Sequence, residues 1–383
     1  MGLFSFTSQA SDLESVRNQF KVWKNSASNA KLENSTNLLM AVWDDHDFGI
    51  NDGGSEHVHK SATQQIFLDF LGVPADSPRR KRQGVYSSQV IGDIGQRVRI
   101  ILLDVRYHRD AIGSDGDLLG AEQWLWLERE LREEERVDMT VIGSGIQVLN
   151  DWRPSENWGR FPSERNRLLR LLGDSNTTGV MFISGDVHFA EFTEVKCDGE
   201  SHQLVDFTSS GISHSLDEEV NSFVRPWVCA PASPHAYIPL PTRHRHPLIF
   251  FLSQVESVYL CSPLSLAQFT GRNFGRIAVD WASREVTLTA LDQFGTPQLT
   301  KTLKLDEMRP RQGGECYNIG RSSTGLKLVT RIRSVFPQLS NSQCIVAAIV
   351  LVCILAPSVI TMALVCAARV LRSKKSSKIH KID

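Results

Sequence analysis

Residues 38–54, LLMAVWDDHDFGINDGG, decide how this chain is read. The apolar run at 38–43 is of the kind that forms a buried strand, and it stops abruptly at Asp44-Asp45-His46-Asp47. Gly49, Asn51, Asp52, Gly53 and Gly54 follow as a loop. Three carboxylates and an imidazole are therefore expected together at a strand end. In open α/β sheets the crevice beyond the carboxyl ends of the strands is where ligands bind. Oxygen donors beside an imidazole suit a metal ion with mixed O and N ligands. The same residues also fit a solvated acidic turn that carries one structural histidine.

Two further stretches share this design. Residues 180–183 read as a short buried strand running into Ser184-Gly185-Asp186-Val187-His188. In extended chain Asp186 and His188 point the same way and reach one metal. Residues 98–103 read as another buried strand, ending at Asp104 with Arg106 and Arg109 just beyond. Guanidinium groups bind phosphate oxygens in pairs and keep their charge, so they suit a phosphoester site. Surface ion pairing is the plainer alternative.

The combination of W-D-D-H-D at 43–47 with Asn51, L-D-x-R-x-x-R at 103–109 and G-D-V-H at 185–188 resembles the PhoD-like metallophosphatases in order and spacing. These are relatives of the calcineurin-type metallophosphoesterases, and the resemblance runs from about residue 38 to about residue 291. It implies an α/β protein, a four-layer α+β sandwich of metallophosphatase type, that hydrolyses phosphomonoesters or phosphodiesters. By the same resemblance Asp186 and His188 hold one metal, Asp45 and Asn51 help hold another, His46 protonates the leaving oxygen, and Arg106 clamps the phosphoryl group. Asp44, Asp47, Arg109, Glu191 and His214 are weaker candidates. Two or more metal ions are expected, iron and/or calcium. The family supplies its first ligands from a G-D-x-x-Y-type motif upstream, whereas before Trp43 this chain has only Asp12 and no histidine. The expectation is that half of the metal site is missing from the chain as written. An alternative function follows from that, a non-catalytic, membrane-anchored binding domain.

At 383 residues, 41% of them hydrophobic, the chain can bury one large domain with an appendage. Its formal net charge of −1, with no basic patch interleaved with aromatics, gives no reason to expect nucleic acid as a partner. Of seven cysteines, Cys344, Cys353 and Cys366 lie in an apolar tail. Cys197, Cys229, Cys261 and Cys316 lack CxxC spacing, which argues against a zinc ribbon and leaves two disulfides or four buried thiols.

Periodicity predicts helices at 12–23, 55–70, 122–136 and 165–172, the last ended by Gly173, a buried strand at 139–143, and a closing antiparallel hairpin at 276–281 and 286–291. His57 and His59 read as exposed, Arg79-Arg80-Lys81-Arg82 as a solvated loop, and 224–246, with His244 and His246, as an insertion loop.

Residues 344–368 hold no charge. At about 1.5 Å per residue they cross a bilayer core of about 30 Å. Arg369, Arg372, Lys374, Lys375, Lys378 and Lys381 follow and outnumber Lys327, Arg331 and Arg333 on the other flank. The positive-inside rule puts the tail in the cytosol and the main domain in a lumen or outside. Sequons at Asn34 and Asn176 agree with that topology. The opening MGLFSF lacks a signal peptide's basic start and apolar length, which calls for a longer N-terminus or a tail-anchored protein with a cytosolic domain. The expected division is a polar segment at 1–37, the PhoD-like domain at 38–304, a linker at 305–343, a transmembrane helix at 344–370 and a basic tail at 371–383.

Overall fold

Period-two alternation in the apolar runs sets the architecture. In β2 (Val98–Leu103), Ile101 and Leu103 enter one hydrophobic cluster and Leu102 another, as a strand buried on both faces requires. The computed structural model describes residues 13–36, 38–132, 136–150, 156–175, 177–196, 203–219 and 265–308. Within them β2 belongs to a seven-stranded sheet with β1 (Ser87–Ile91), β3 (Met139–Ser144), β4 (Val180–Ser184), β5 (Ala190–Lys196), β6 (Gln203–Ser209) and β7 (Ser265–Phe269), ordered β1-β2-β3-β4-β6-β5-β7. Neighbours β2, β3, β4 and β6 are parallel, while β1 pairs antiparallel with β2 and β5 antiparallel with β6 and β7. Leu103 pairs with Ser144 and Gly143 with Ile183, so the carboxyl ends of β2, β3 and β4 are level.

Helices α5 (Ala121–Arg132) and α6 (Pro162–Asp174) cover one face. Their Trp124, Leu127, Leu131, Leu168, Leu169 and Leu172 recur every three or four residues and pack on Ile101, Leu103, Ile142 and Phe182. On the other face Met139, Val141, Met181, Val205 and Phe207 meet Val286, Leu288 and Ala290 of β9 (Glu285–Asp292) and Leu299 and Leu303 of β10 (Pro297–Lys304). With β8 (Asn273–Asp280) these form a second, three-stranded antiparallel sheet. Leu102 is covered instead by α1 (Leu13–Lys24) and α4 (Lys60–Phe70), which meet edge to face through Phe20 and Phe67 at 5.8 Å. A short α2 (Ala27–Ser35) follows α1, its first turn capped by Ser26, whose hydroxyl accepts from Asn29 N–H at 3.1 Å.

The structure revises several expectations. Of the four layers expected, the described residues show three; among them no helix covers the outer face of the small sheet, where Phe274, Arg276, Ala278 and Asp280 are exposed. Residues 38–43 join no strand: Ala41, Val42 and Trp43 are buried in the α1–α4 cluster without strand partners, and an apolar run alone cannot tell the two apart. Helix α4 begins at Lys60 rather than residue 55, and Gly173 lies inside α6, buried. His57 is only 6% exposed, in the turn before α4, with its ring 4.9 Å from that of Phe48; His59 is exposed. The basic run is no solvated loop. Arg80 Nε donates to the Pro74 carbonyl at 2.9 Å, Arg79 Nη2 to that of Val85 at 3.2 Å, and Arg82 stacks 3.8 Å over the Tyr86 ring. β10 adds a strand to the expected hairpin. The four tail-free cysteines, the 224–246 loop, the Asn176 sequon and the 344–370 span lie outside the described residues. No helix among the described residues is long and apolar enough to cross a membrane.

Candidate metal centre

The acidic stretch folds as a single helical turn, α3 (Asp45–Phe48), tied by its own carboxylates. Asp47 Oδ2 accepts from Asp44 N–H at 3.2 Å, while Asp45 takes His46 N–H at 2.6 Å on one oxygen and Asp52 N–H at 3.0 Å on the other. Gly49 closes the turn at φ +110°, a left-handed conformation in which its N–H reaches the Asp45 carbonyl at 2.9 Å. Beyond β2, Asp104 fixes the next loop. Its Oδ1 accepts from Arg106 N–H at 2.9 Å and Tyr107 N–H at 3.0 Å, and its Oδ2 from Val85 N–H at 2.8 Å.

From that loop Arg106 reaches inward, 0% exposed, and donates through Nε to Asp44 at 2.7 Å, through Nη2 to the same oxygen, and through Nη1 to Glu156 at 2.6 Å. Arg109 pairs with the other Glu156 oxygen at 2.8 Å and donates to the Asp52 carbonyl. Asp186 enters beyond β4. Asp44, Asp45 and Asp186 thus bring ligand oxygens within 4.8 Å of one another, and Asp45, Asp52 and Glu156 form a second such group that shares Asp45. A Cβ on Gly145, at the end of β3, would lie 2.7 Å from Asp44 Oδ1, so only glycine lets the carboxylate rest against the backbone there.

Charge in this centre is out of balance. Among the described residues, the positive charges paired with Asp44, Asp45, Asp52, Asp186 and Glu156 are chiefly the guanidinium groups of Arg106 and Arg109. Burial, reinforced by Asp44, Glu156 and Asp45, pushes Asp186 well above the usual carboxylate range. Burial also raises Glu156 to about 7 against the pull of Arg106 and Arg109, and burial with the Asp45 charge raises Asp52. Burial works against Asp45 too, yet Arg106, His46 and two backbone N–H groups outweigh it and hold that carboxyl low. A bound cation would supply the positive charge this set lacks, and the oxygen donors present are of the kind that hard metal ions take.

The remaining sequence candidates fall around this core. His46 is half-buried on α3, and Asn51 is exposed next to Asp52. Asp47 turns away: it is fully buried, one oxygen has no hydrogen-bond partner among the described residues, and burial raises its pKa well above normal. The segment at 185–188 is not extended. Asp186 and His188 have φ of +76° and +58°, so the chain bends at both, and His188, half-buried, lies outside both oxygen groups with its ring 6.0 Å from that of His214. Glu191 is buried in β5 and belongs to neither group. The two acidic groups include Glu156 and Asp52, which the sequence reading did not single out, and Asp44, which it gave as a weaker candidate. An acidic residue in the loop after β3, the strand between those carrying Asp104 and Asp186, was the available signal for Glu156.

Fold and centre together define an α/β protein with an arginine-braced acidic site at the carboxyl ends of parallel strands. The family model for PhoD-like phosphatase matches residues 5–239, more than half of the chain, and the chain belongs to that family. Among solved structures it is similar to one described as "Structure of PhoD", with 15% identity and a TM-score of 0.46 over 69% of this chain. The chain spans about half of that protein's length, 52%. No curated protein matches it.

Proposed function

We propose that this chain is a metal-dependent phosphoester hydrolase. The observation that carries the reading is the pair of acidic groups sharing Asp45 at level strand ends in a chain of the PhoD-like phosphatase family. Asp44, Asp45 and Asp186 would hold one cation, and Asp45, Asp52 and Glu156 a second, with Asn51 and His188 close in sequence to complete them. Iron and calcium are the ions that the family resemblance suggests. Cations bound there supply Lewis-acid polarisation of the phosphoryl group and lower the pKa of the attacking water.

The chain's own residues set the geometry. Arg106, read from the sequence as the phosphoryl clamp, has its N–H groups turned to Asp44, Glu156 and, at 3.5 Å, the Gly53 carbonyl. In this reading it orients two carboxylates and keeps a permanent positive charge in the acidic centre. Arg109 does the same for Glu156 and the 52–54 loop. His46 would give a proton to the leaving oxygen; its position next to the shared Asp45 on α3, half-buried, supports that role.

The wider organisation is proposed on sequence grounds: a PhoD-like domain at 38–304, a linker at 305–343, a single-pass anchor at 344–370 and a cytosolic tail at 371–383, with the main domain lumenal or extracellular. The charge-free run and its basic flank support the anchor, and the exposure of Asn34 on α2 supports one sequon.

Titration of manganese(II) into metal-stripped full-length protein, followed by the paramagnetic resonance of the free ion, tests the centre. Asp45→Asn should weaken binding more than tenfold and reduce the number of ions bound. Unchanged affinity and stoichiometry in that variant would place the metal elsewhere.

A further inference from the structure

Glu156 is delivered to the centre by a loop, and the structure shows what holds that loop. Gln147, just beyond β3, pairs through its backbone with the residues after Glu156: the two segments form a parallel bridge at Gln147 and Asn157, and Trp158 N–H donates to the Gln147 carbonyl at 2.9 Å. The Gln147 side chain points into the sheet. Its Nε2 donates to Glu191 Oε1 at 2.6 Å and to Thr208 at 2.8 Å. The same Glu191 oxygen takes Asn150 Nδ2 at 3.2 Å, and the other takes Gln268 Nε2 of β7 at 2.7 Å. Glu191, Gln147, Asn150, Thr208 and Gln268 are all buried. A second carboxylate, Asp206 on β6, accepts Val148 N–H at 2.7 Å and Leu149 N–H at 3.1 Å, and is itself held by Ser184 at 2.7 Å.

We propose that Glu191 is a positioning residue that sets Glu156 against Arg106 and Arg109, acting through the Gln147 side chain and the Gln147–Trp158 backbone pairing. The inference rests on the reading of Glu156 as a cation ligand. Its physical basis is that a buried carboxylate accepting several amide N–H groups is hard to replace. Glutamine in its place turns one acceptor oxygen into a donor, which leaves a buried amide N–H facing another N–H. The loop then keeps its Asp206 tie but loses the one at Gln147 and Asn150, the side that pairs with the segment after Glu156. Glu156 is two residues from Trp158, so its carboxylate moves with the strap. Fixed ligand geometry of this kind governs metal affinity through residues that never touch the ion.

The test uses full-length protein and two readouts, in variants whose melting shows that they remain folded. In metal-stripped protein, backbone amide exchange over 146–158 should run at least about tenfold faster in Glu191→Gln than in wild type, with exchange in β2 and β3 unchanged. Manganese(II) affinity should fall about tenfold in Glu191→Gln, and the same substitution should cause no further loss in a Glu156→Gln background. Gln147→Ala should reproduce both effects. Unchanged exchange over 146–158 overturns the inference. So does a Glu191→Gln loss of affinity that adds in full to that of Glu156→Gln, since this would show an action not routed through Glu156. Accelerated exchange with manganese affinity untouched by Glu156→Gln itself would uphold the strap and reject the reading of Glu156 as a ligand.

Discussion

Replacing Arg106 with methionine removes the cation around which the acidic centre is built. The methionine approximates the volume of the side chain but leaves Asp44 and Glu156 buried against each other without the guanidinium that bonds both. Removing one partner of a buried ion pair costs about 3–5 kcal/mol. Since a domain's whole stability is about 5–15 kcal/mol, the variant should be clearly weakened yet foldable. For a domain of this size the loss corresponds to a fall in melting temperature on the order of 10 °C. The pH dependence is diagnostic. Burial already holds Glu156 at about 7, above its ordinary 4.5, and without Arg106 its pKa must rise further. A carboxyl whose folded pKa exceeds its unfolded value favours the folded state while protonated and weakens it as pH climbs through that window. The Arg106→Met penalty in metal-stripped protein should therefore be larger at pH 8 than at pH 5.5, by at least about 1.4 kcal/mol. Urea unfolding at the two pH values measures it. A penalty below about 1 kcal/mol, or one equal at both pH values, would refute the view that Arg106 neutralises a crowded carboxylate set.

Asp186→Asn should move stability and metal binding in opposite directions: removing a carboxylate whose burial and neighbours oppose its charge should raise the melting point of the metal-stripped protein while weakening manganese(II) binding more than tenfold, which paired thermal and binding measurements read out. Gly145→Ala places a methyl group 2.7 Å from Asp44 Oδ1 and should cost about 1–3 kcal/mol in urea unfolding, with a parallel loss of metal affinity as the carboxylate is displaced. Deleting residues 344–383 should move the folded domain from the membrane pellet to the soluble fraction, as fractionation of both forms will show.

The sheet was legible because its strands are continuous apolar runs with abrupt polar ends: 98–103, 139–143 and 180–183 were placed to within a residue of β2, β3 and β4. The run at 38–43 carries the same composition but is buried by α1 and α4 instead of by strand partners, and composition holds no record of hydrogen-bond partners. Asp45 and Asp186, which fall in the acidic groups, stood out in the sequence because each follows an apolar run within a few residues. Glu156 did not, because it reaches the centre from the far end of a loop held by Gln147, Glu191 and Asp206. Arg106 was found for its charge, but its burial between two carboxylates depends on contacts from positions 62 residues before it and 50 after it, beyond any local pattern. The basic run at 79–82 misled for a similar reason, since its guanidinium groups answer carbonyls that no charge count reveals.

The most direct test of the central claim is hydrolysis of an aryl phosphate and a bis-aryl phosphate by the full-length protein, measured after chelation and again after adding back calcium and iron, alongside Asp45→Asn. Turnover that vanishes on chelation, returns with metal and falls at least about a hundredfold in Asp45→Asn is the predicted result. Metal-replete protein that is folded and binds manganese(II) through Asp45 but turns over neither ester would contradict hydrolysis, and would favour a binding domain that keeps the fold and the cation site without the chemistry.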